Sequence, residues 1–422
     1  MTKSGFNLLL TTRFGPLFAA QFLGAFNDNL LKSALGVLVA YRLAERWGVD
    51  AGALVMLAGA VFILPFVLFS GVSGTLADRV DKTRISRRVK LAEIAIMILG
   101  AAGLLREDLP TLLLALFLLG VHSTVFGPIK YAVLPQHLPP GELVAGNALV
   151  DAGTFLAILI GTLAGSALAL APGGALVLGA IGLAAAVLGW AATCAMPPAP
   201  PPDAAAVPRP RLLADSIAVM RHVAGDRALL GPVLALSWFW GLGGVVVSGL
   251  PVLASVTLGA QEQAVSAMLA LFALGVGAGS LLANRLAGGA VTARPVPWAA
   301  LGMAASALVV ALGAGGATGA AAPLTEVAAR PEALRFLAGL GGLAVAGGVF
   351  AVPLYAILLQ RSDPAHRARV IAANNIANAV AMALMSLGAA ALLGTGWTMP
   401  QVVGCGGIAG IAIAGLYARR RA

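Results

Sequence analysis

Within "LGAFNDNLLK", residues 23–32, the polar side chains Asn27, Asp28, Asn29 and Lys32 stand inside an apolar run from Phe14 to Ala40. A carboxylate, an ammonium and two amides form an ion-binding set. The acid and amide oxygens accept from an ammonium or ligate a cation, and the lysine pairs with an anion such as phosphate. A charge at the centre of a membrane helix costs about 2.5–3.5 kcal/mol on insertion scales, so such residues face a cavity rather than lipid. Gln21, Asp28 and Lys32 fall at i, i+7 and i+11, on one helical face with Gly24 or Ala25 between them. Counted from Phe14, Asp28 lies roughly 21 Å along a helix rising 1.5 Å per residue, near mid-membrane or slightly toward the outside. An Asp28–Lys32 pair that merely neutralised itself would give no reason for either charge to be present.

Further polar residues interrupt other apolar runs. His122, Ser123 and Thr124 precede "GPIKY", which contains Lys130 and Tyr131. Asn147 and Asp151 share a face at i, i+4, and Asn374, Asn375 and Asn378 cluster near the C-terminal end. The expected substrate-binding set is therefore Gln21, Asn27, Asp28, Asn29, Lys32, His122, Lys130, Tyr131, Asn147, Asp151, Asn374 and Asn378. Lys130 falls near the cytoplasmic end of its run, where a snorkelling interface lysine is the competing reading. Glu93 reads as an interface residue or a weak site candidate, and Lys90 as part of a basic loop.

The elements that must position these residues are membrane helices. The 422 residues are 59% hydrophobic and only 10% charged, and the mean hydropathy is +0.94; soluble domains carry about 25% charged residues. About twelve apolar runs are long enough to span a bilayer, near 14–40, 52–76, 89–105, 110–134, 143–171, 173–195, 229–257, 263–287, 295–316, 334–360, 368–393 and 398–418. The fold class is all-α and polytopic. The net charge of +10 sits in loops between these runs, which argues against nucleic acid as a partner. Cys194 and Cys405 are too few for a disulfide framework or a metal site, so no cofactor is expected. The N-terminus shows no cleavable signal pattern, and the first run is expected to act as its own insertion signal.

Three sequence echoes indicate a duplication. "VFGPIKYAVLPQ" from Val125 and "VFAVPLYAILLQ" from Val349 share six of twelve positions. "GNALVD" from Gly146 pairs with "ANNIAN" from Ala373, and "GTLADR" from Gly74 with "SLLANR" from Ser280. Two parallel six-helix repeats define the major facilitator architecture. The expected organisation is a bundle over 1–196, a cytoplasmic linker over 197–228, Pro-rich and then amphipathic, and a second bundle over 229–422. Basic residues concentrate between runs 2 and 3, in the linker, between runs 8 and 9 and between runs 10 and 11, and in the tail Arg419–Arg421, which places both termini in the cytoplasm. The polar cluster is one-sided: aligning Phe22-x-Gly24 with Phe239-x-Gly241 sets Gly244, Val245 and Val246 against Asn27, Asp28 and Asn29.

Gly74, Asp78 and Arg79 resemble the major facilitator signature after the second helix. Gly74 permits close helix approach, and Asp78 is placed to cap a neighbouring helix or pair with a base. Breaking that contact would let the halves rock, a gating role. Asp81 stands where the signature carries glycine. His137 and Glu142 superficially imitate an acyltransferase pair, but Pro139 and Pro140 separate them and no soluble catalytic domain accompanies them, so the chain is not expected to be an enzyme.

Taken together, "FLGAFNDNLLK", "GPIKYAVLPQHL", "AGNALVDAGTFLAILIGTLAG" and "GGVFAVPLYAILLQ" resemble the lysophospholipid transporter family of the major facilitator superfamily, over residues 14 to 415. They also resemble the transporter module fused to acyltransferase and acyl-carrier-protein synthetase domains. The resemblance implies movement of lysophospholipid, chiefly lysophosphatidylethanolamine, across the bacterial inner membrane to the cytoplasmic leaflet. It also implies a separate acyltransferase partner that restores the second chain. Asp28 and Lys130 fall on the family's motif residues, whereas "GGVVVSG" lacks the basic residue that some members carry in the seventh helix. The alternative is a carrier of a small solute or drug coupled to protons or sodium, with Asp28 as the ion site.

Overall fold

Apolar runs of this length bury every backbone polar group only as helices, and most described residues of the computed structural model are helical. It describes residues 5–48, 51–201, 211–261, 263–288, 290–313, 322 and 324–419. Twelve long helices correspond to the expected runs. They are α1 (Gly15–Leu38), α2 (Ala51–Arg79), α3 (Lys82–Arg106), α4 (Leu109–His137), α5 (Pro140–Leu168), α6 (Gly174–Cys194), α7 (Arg227–Val252), α8 (Gln263–Ala287), α9 (Val296–Leu312), α10 (Pro331–Arg361), α11 (Arg367–Gly394) and α12 (Met399–Arg419). Nine helices among the described residues are long and apolar enough to cross a membrane. The other three have local reasons: α1 carries the Asn27–Lys32 cluster, α3 opens with basic residues, and α9 is short.

The sequence echoes fall on α4 and α10, α5 and α11, and α2 and α8, the order a six-helix duplication requires. The chain divides into two units. Unit 1 comprises Met1–Leu230 and Leu358–Ile376, and unit 2 comprises Gly231–Ile357 and Ala377–Ala422. The boundary therefore crosses α11.

In unit 1, α1 lies against α5, with α3, α4 and α6 completing the packing. Gly161 and Gly165, four residues apart on α5, meet the α1 backbone at Phe26 and Leu30; a Cβ at Gly161 would stand 3.2 Å from Leu30 N. Small residues at this spacing let membrane helices approach closely. Aliphatic side chains of α1, α3, α4 and α6, including Leu30, Leu31, Met97, Leu116 and Leu178, close the core.

The linker has two described parts. Residues 197–201 lie along the ends of α3 and α4: Thr83 Oγ1 donates to Pro197 O at 2.6 Å, Lys82 N to Ala199 O at 2.9 Å, and Gln136 Nε2 to Pro200 O at 3.1 Å. Asp81 N-caps α3 through Arg84 N at 2.9 Å and also accepts from Ala199 N at 3.2 Å, so the residue replacing the signature glycine pins the linker. The expected amphipathic segment forms the helix Leu212–Gly225, whose Ser216 Oγ donates to Val67 O of α2 at 3.3 Å. Linker residues 202–210 and tail residues Arg420 and Arg421 lie outside the described residues.

In unit 2 the core is apolar. Gly241 and Gly244 of α7 pack on Met385 and Met382, at the places aligned with Gly24 and Asn27. The core also contains packed aromatic residues. Trp238 meets Phe350 edge-on at 5.5 Å, and Trp240 Nε1 donates to Tyr355 OH at 2.9 Å.

Gly161→Ala tests the close α1–α5 approach. Overpacking of this kind costs about 1–3 kcal/mol, and thermal unfolding of the detergent-solubilised protein is expected to register that loss. Gly141→Ala, where an added Cβ meets nothing within 4 Å, is the control expected to unfold like wild type.

Candidate functional site

Asn27, Asp28, His122, Lys90 and Glu93 form one buried network inside unit 1. Glu93, from α3, is its hub. Oε1 accepts from Asn27 Nδ2 at 2.9 Å, and Oε2 accepts from Lys90 Nζ at 2.6 Å. His122 Nε2 of α4 lies 3.3 Å from the same Oε2. The Lys90 and Glu93 side chains are 0% exposed. Ser123 Oγ, next along α4, donates to Asp28 Oδ2 at 2.5 Å. Lys90 passes between glycines: a Cβ at Gly24 of α1 would stand 2.5 Å from its Nζ, and one at Gly189 of α6 would stand 3.6 Å away. The ammonium also lies 5.2 Å from the Phe126 ring, on which His122 stacks at 6.1 Å.

The sequence reading of Lys90 as a loop base and Glu93 as an interface residue is therefore corrected. Both are interior, because α3 begins at Lys82 and carries them into the bundle. The available signal was Lys90-x-x-Glu93 at i, i+3 with a purely apolar stretch following. Asp28 bonds to Ser123, and Lys32 is an exposed residue whose Nζ lies 5.5 Å from the Phe62 ring. The Asp28–Lys32 stripe is thus split between two environments.

A second cluster joins α4 and α5. Tyr131 OH donates to Asp151 Oδ1 at 2.9 Å, and Lys130 Nζ sits 5.1 Å from the Tyr131 ring. Gln21 accepts from Thr154 Oγ1 at 2.9 Å, a partner the sequence reading did not single out. Asn29 and Asn147 turn back on their own helices, donating to Ala25 O at 2.8 Å and Leu143 O at 2.9 Å. Asn374 is buried in the unit 1 part of α11. Asn378 belongs to unit 2, where Ser237 Oγ donates to its Oδ1 at 3.0 Å. Among the described residues, every buried charged side chain is in unit 1.

Several buried polar atoms have no hydrogen-bond partner among the described residues: Gln21 Nε2, Asn27 Oδ1, Asp28 Oδ1, His122 Nδ1, Asn147 Oδ1, Asp151 Oδ2 and both side-chain ends of Asn374. Buried polar groups are normally satisfied. Most of these unsatisfied acceptors and donors are in unit 1.

Asp78 makes the contact its position suggested. Its carboxylate closes the N-terminus of α11, accepting from Ala368 N at 2.9 Å, Arg369 N at 3.1 Å and Arg369 Nε at 3.2 Å. Gly74, one turn earlier, lets α2 reach α11: a Cβ there would stand 2.8 Å from Arg369 Cα. Arg79 follows, half-buried. Lys82 is buried near the same carboxylate; burial pushes its ammonium below the ordinary value and Asp78 opposes that shift. His137 and Glu142 serve structure. The His137 ring bonds to the backbone oxygens of Arg13 and Pro198, and Glu142 pairs with Arg13 at 2.6 Å.

Two helical bundles, with a second helix whose Asp78 caps α11 and with polar groups buried in the first unit, are the architecture of a membrane transporter. The sequence profile of the Major Facilitator Superfamily matches residues 17–327, and the chain belongs to that superfamily. It is 29% identical over 391 residues to the lysophospholipid transporter LplT of Serratia proteamaculans (strain 568), covering 89% of this chain and 87% of the relative. It is also 29% identical over 419 residues to LplT of Citrobacter koseri, covering 96% and 95%. The human organic anion transporter MFSD10 superposes with a TM-score of 0.72 at 17% identity, over 96% of this chain and 98% of that one. FucP in its outward conformation gives 0.66 at 16%, over 97% and 98%. These relatives are transporters, and no enzyme class attaches to the fold.

Removing one partner of a buried ion pair costs about 3–5 kcal/mol, whereas replacing both with apolar residues is often neutral. Lys90→Met is therefore expected to destabilise unit 1 strongly, and Lys90→Met with Glu93→Leu to recover most of the loss. A double-mutant cycle in unfolding free energy measures the coupling.

Proposed function

We propose that this protein carries a lysophospholipid, chiefly lysophosphatidylethanolamine, across the bacterial inner membrane to the cytoplasmic leaflet by alternating access. The observation that carries the reading is charge balance. Along the membrane-spanning stretches of α1, α3, α4 and α5, three carboxylates, Asp28, Glu93 and Asp151, accompany three lysines, the buried Lys90, the half-buried Lys130 and the exposed Lys32. A balanced set suits a zwitterionic head better than an ion. Asp28 Oδ1 and Asn27 Oδ1 are unsatisfied acceptors for an ammonium, and Lys130 or Lys32 supplies the phosphate partner. The acyl tail needs only an apolar path, entered laterally from the bilayer. The names of the LplT relatives support the same substrate class.

In this reading both termini are cytoplasmic. Asp78, Gly74 and Arg79 form a gate whose opening releases the first turn of α11 from α2. A proton or sodium ion drives the cycle, and a separate acyltransferase or acyl-carrier-protein synthetase consumes the product.

Purified protein in vesicles is expected to move labelled lysophosphatidylethanolamine between leaflets, and Asp28→Asn to abolish that movement while the protein still folds. Absence of lysolipid movement by wild type under both proton and sodium gradients would contradict the reading and leave Asp28 as the coupling carboxylate of a small-solute carrier.

A further inference from the structure

Asp28 is a buried carboxylate of α1 with an incomplete set of partners. Its Oδ2 accepts from Ser123 Oγ of α4 at 2.5 Å, and its Oδ1 accepts nothing among the described residues. Neighbours on its own helix turn elsewhere: Asn29 donates back to Ala25 O, and Lys32, one turn on, is exposed beside the Phe62 ring. His122, Lys90 and Glu93 stand close enough to act on the charge of Asp28. Lys90 and His122 face Glu93 instead, so a single hydroxyl decides which oxygen of Asp28 is used and which is left.

We infer that Ser123 is a positioning residue, holding the Asp28 carboxylate so that Oδ1 accepts an N–H from the substrate. The inference rests on the lysolipid reading and extends it from substrate class to the group that sets head-group preference. A carboxylate taken out of water needs donors on its oxygens. Hydrogen bonds to a charged acceptor are stronger than neutral ones. The Ser123 hydroxyl satisfies one oxygen and leaves the other for an incoming donor. A primary ammonium brings three N–H donors, and a quaternary ammonium brings none. Ser123 therefore bears on the choice between these heads rather than on lipid binding as such.

The face of α4 that carries Ser123 suits this part. Ser123, Gly127 and Lys130 fall at i, i+4 and i+7 and share that face. All three are half-buried, whereas Thr124, Phe126 and Pro128 between them are buried. Gly127 keeps the middle of the face clear: a Cβ there would stand 3.1 Å from Asn375 Nδ2 of α11, a residue of the same unit. Lys130, one of the two lysines offered to the phosphate, lies where Asp28 acts on its charge. Ser123 and Lys130 are about 10 Å apart along the helix axis, and a long helical side chain leans back toward the N-terminus, which shortens that span. One face of α4 thus joins the group that orients an ammonium acceptor to a partner for the phosphate.

The test uses the full chain in nanodiscs at one neutral pH, with radiolabelled single-chain phospholipids bearing an ethanolamine or a choline head. Wild type is expected to bind the ethanolamine head more tightly. Ser123→Ala is expected to weaken ethanolamine binding about tenfold, the scale of one charge-assisted hydrogen bond, and to leave choline binding near its wild-type value. Ser123→Thr, which restores a hydroxyl, is expected to recover the preference. In an Asp28→Ala background, adding Ser123→Ala is expected to change the preference no further, because the hydroxyl acts only through that carboxylate.

The ratio of the two dissociation constants does not depend on the folded fraction, so a destabilised variant still reports. If Ser123→Ala yields no protein, Ser123→Cys takes its place; it has nearly the same shape and is a weak donor, and the same loss of preference is expected. Equal weakening of both heads would make the hydroxyl a mere tie between α1 and α4 and overturn the inference. So would a wild type that binds both heads alike, a preference that survives loss of the hydroxyl, or an effect that persists without Asp28. In each of those cases the lysolipid reading stands. A wild type that binds neither lipid removes that reading and the inference with it.

Discussion

The carboxylate of Glu93 is the constraint on which the rest of unit 1 depends. An ionised group taken wholly out of water carries a penalty of several kcal/mol unless its partners are well placed. Here Lys90, Asn27 and His122 supply them from three helices. Those contacts dictate much else. Gly24 and Gly189 are open where Lys90 must pass, Gly161 and Gly165 bring α5 onto α1, and Asn27 is turned so that its neighbour Asp28 meets Ser123. The ion pair fixes the register of α1, α3 and α4 and leaves Asp28 and Asn27 each with an unused oxygen.

The duplicated architecture gives this specialisation its contrast. α7 occupies the place of α1 in the second repeat but meets methionines of α11 through glycine, and no charged side chain is buried among the described residues of unit 2. A feature required by the fold would recur in both repeats. The buried charges of unit 1 are therefore not a requirement of the repeat itself. Asp78 plays a different part: it is a helix cap, satisfied on both oxygens by the first turn of α11.

Helix positions and the repeat were legible because bilayer thickness and period-3.6 packing leave few alternatives for apolar runs. Asn27, Asp28 and His122 were legible as polar residues in such runs, and Asp78 as a cap at the end of one. Lys90 and Glu93 were not, because hydropathy reads the start of α3 as a basic loop; only the tertiary structure shows that the helix begins at Lys82 and carries these charges inward. Nor does sequence spacing separate a side chain that reaches across helices from one that folds back on its own, as Asn29 and Asn147 do. Asp81 is a similar case: it stands where the signature carries glycine, yet it caps α3 and holds the linker at Ala199.

The most direct measurement is covalent mapping of the head group. A lysophosphatidylethanolamine analogue bearing a photoreactive group on its ethanolamine end would be flipped into position in vesicles, irradiated, and its adducts located by peptide mass spectrometry. A head-group site built on Glu93 predicts adducts on α1 around Asn27–Asp28 and on α4 around His122–Ser123, competed away by unlabelled lysolipid. Competed adducts confined to α7–α12, with α1 and α4 unlabelled, would contradict it.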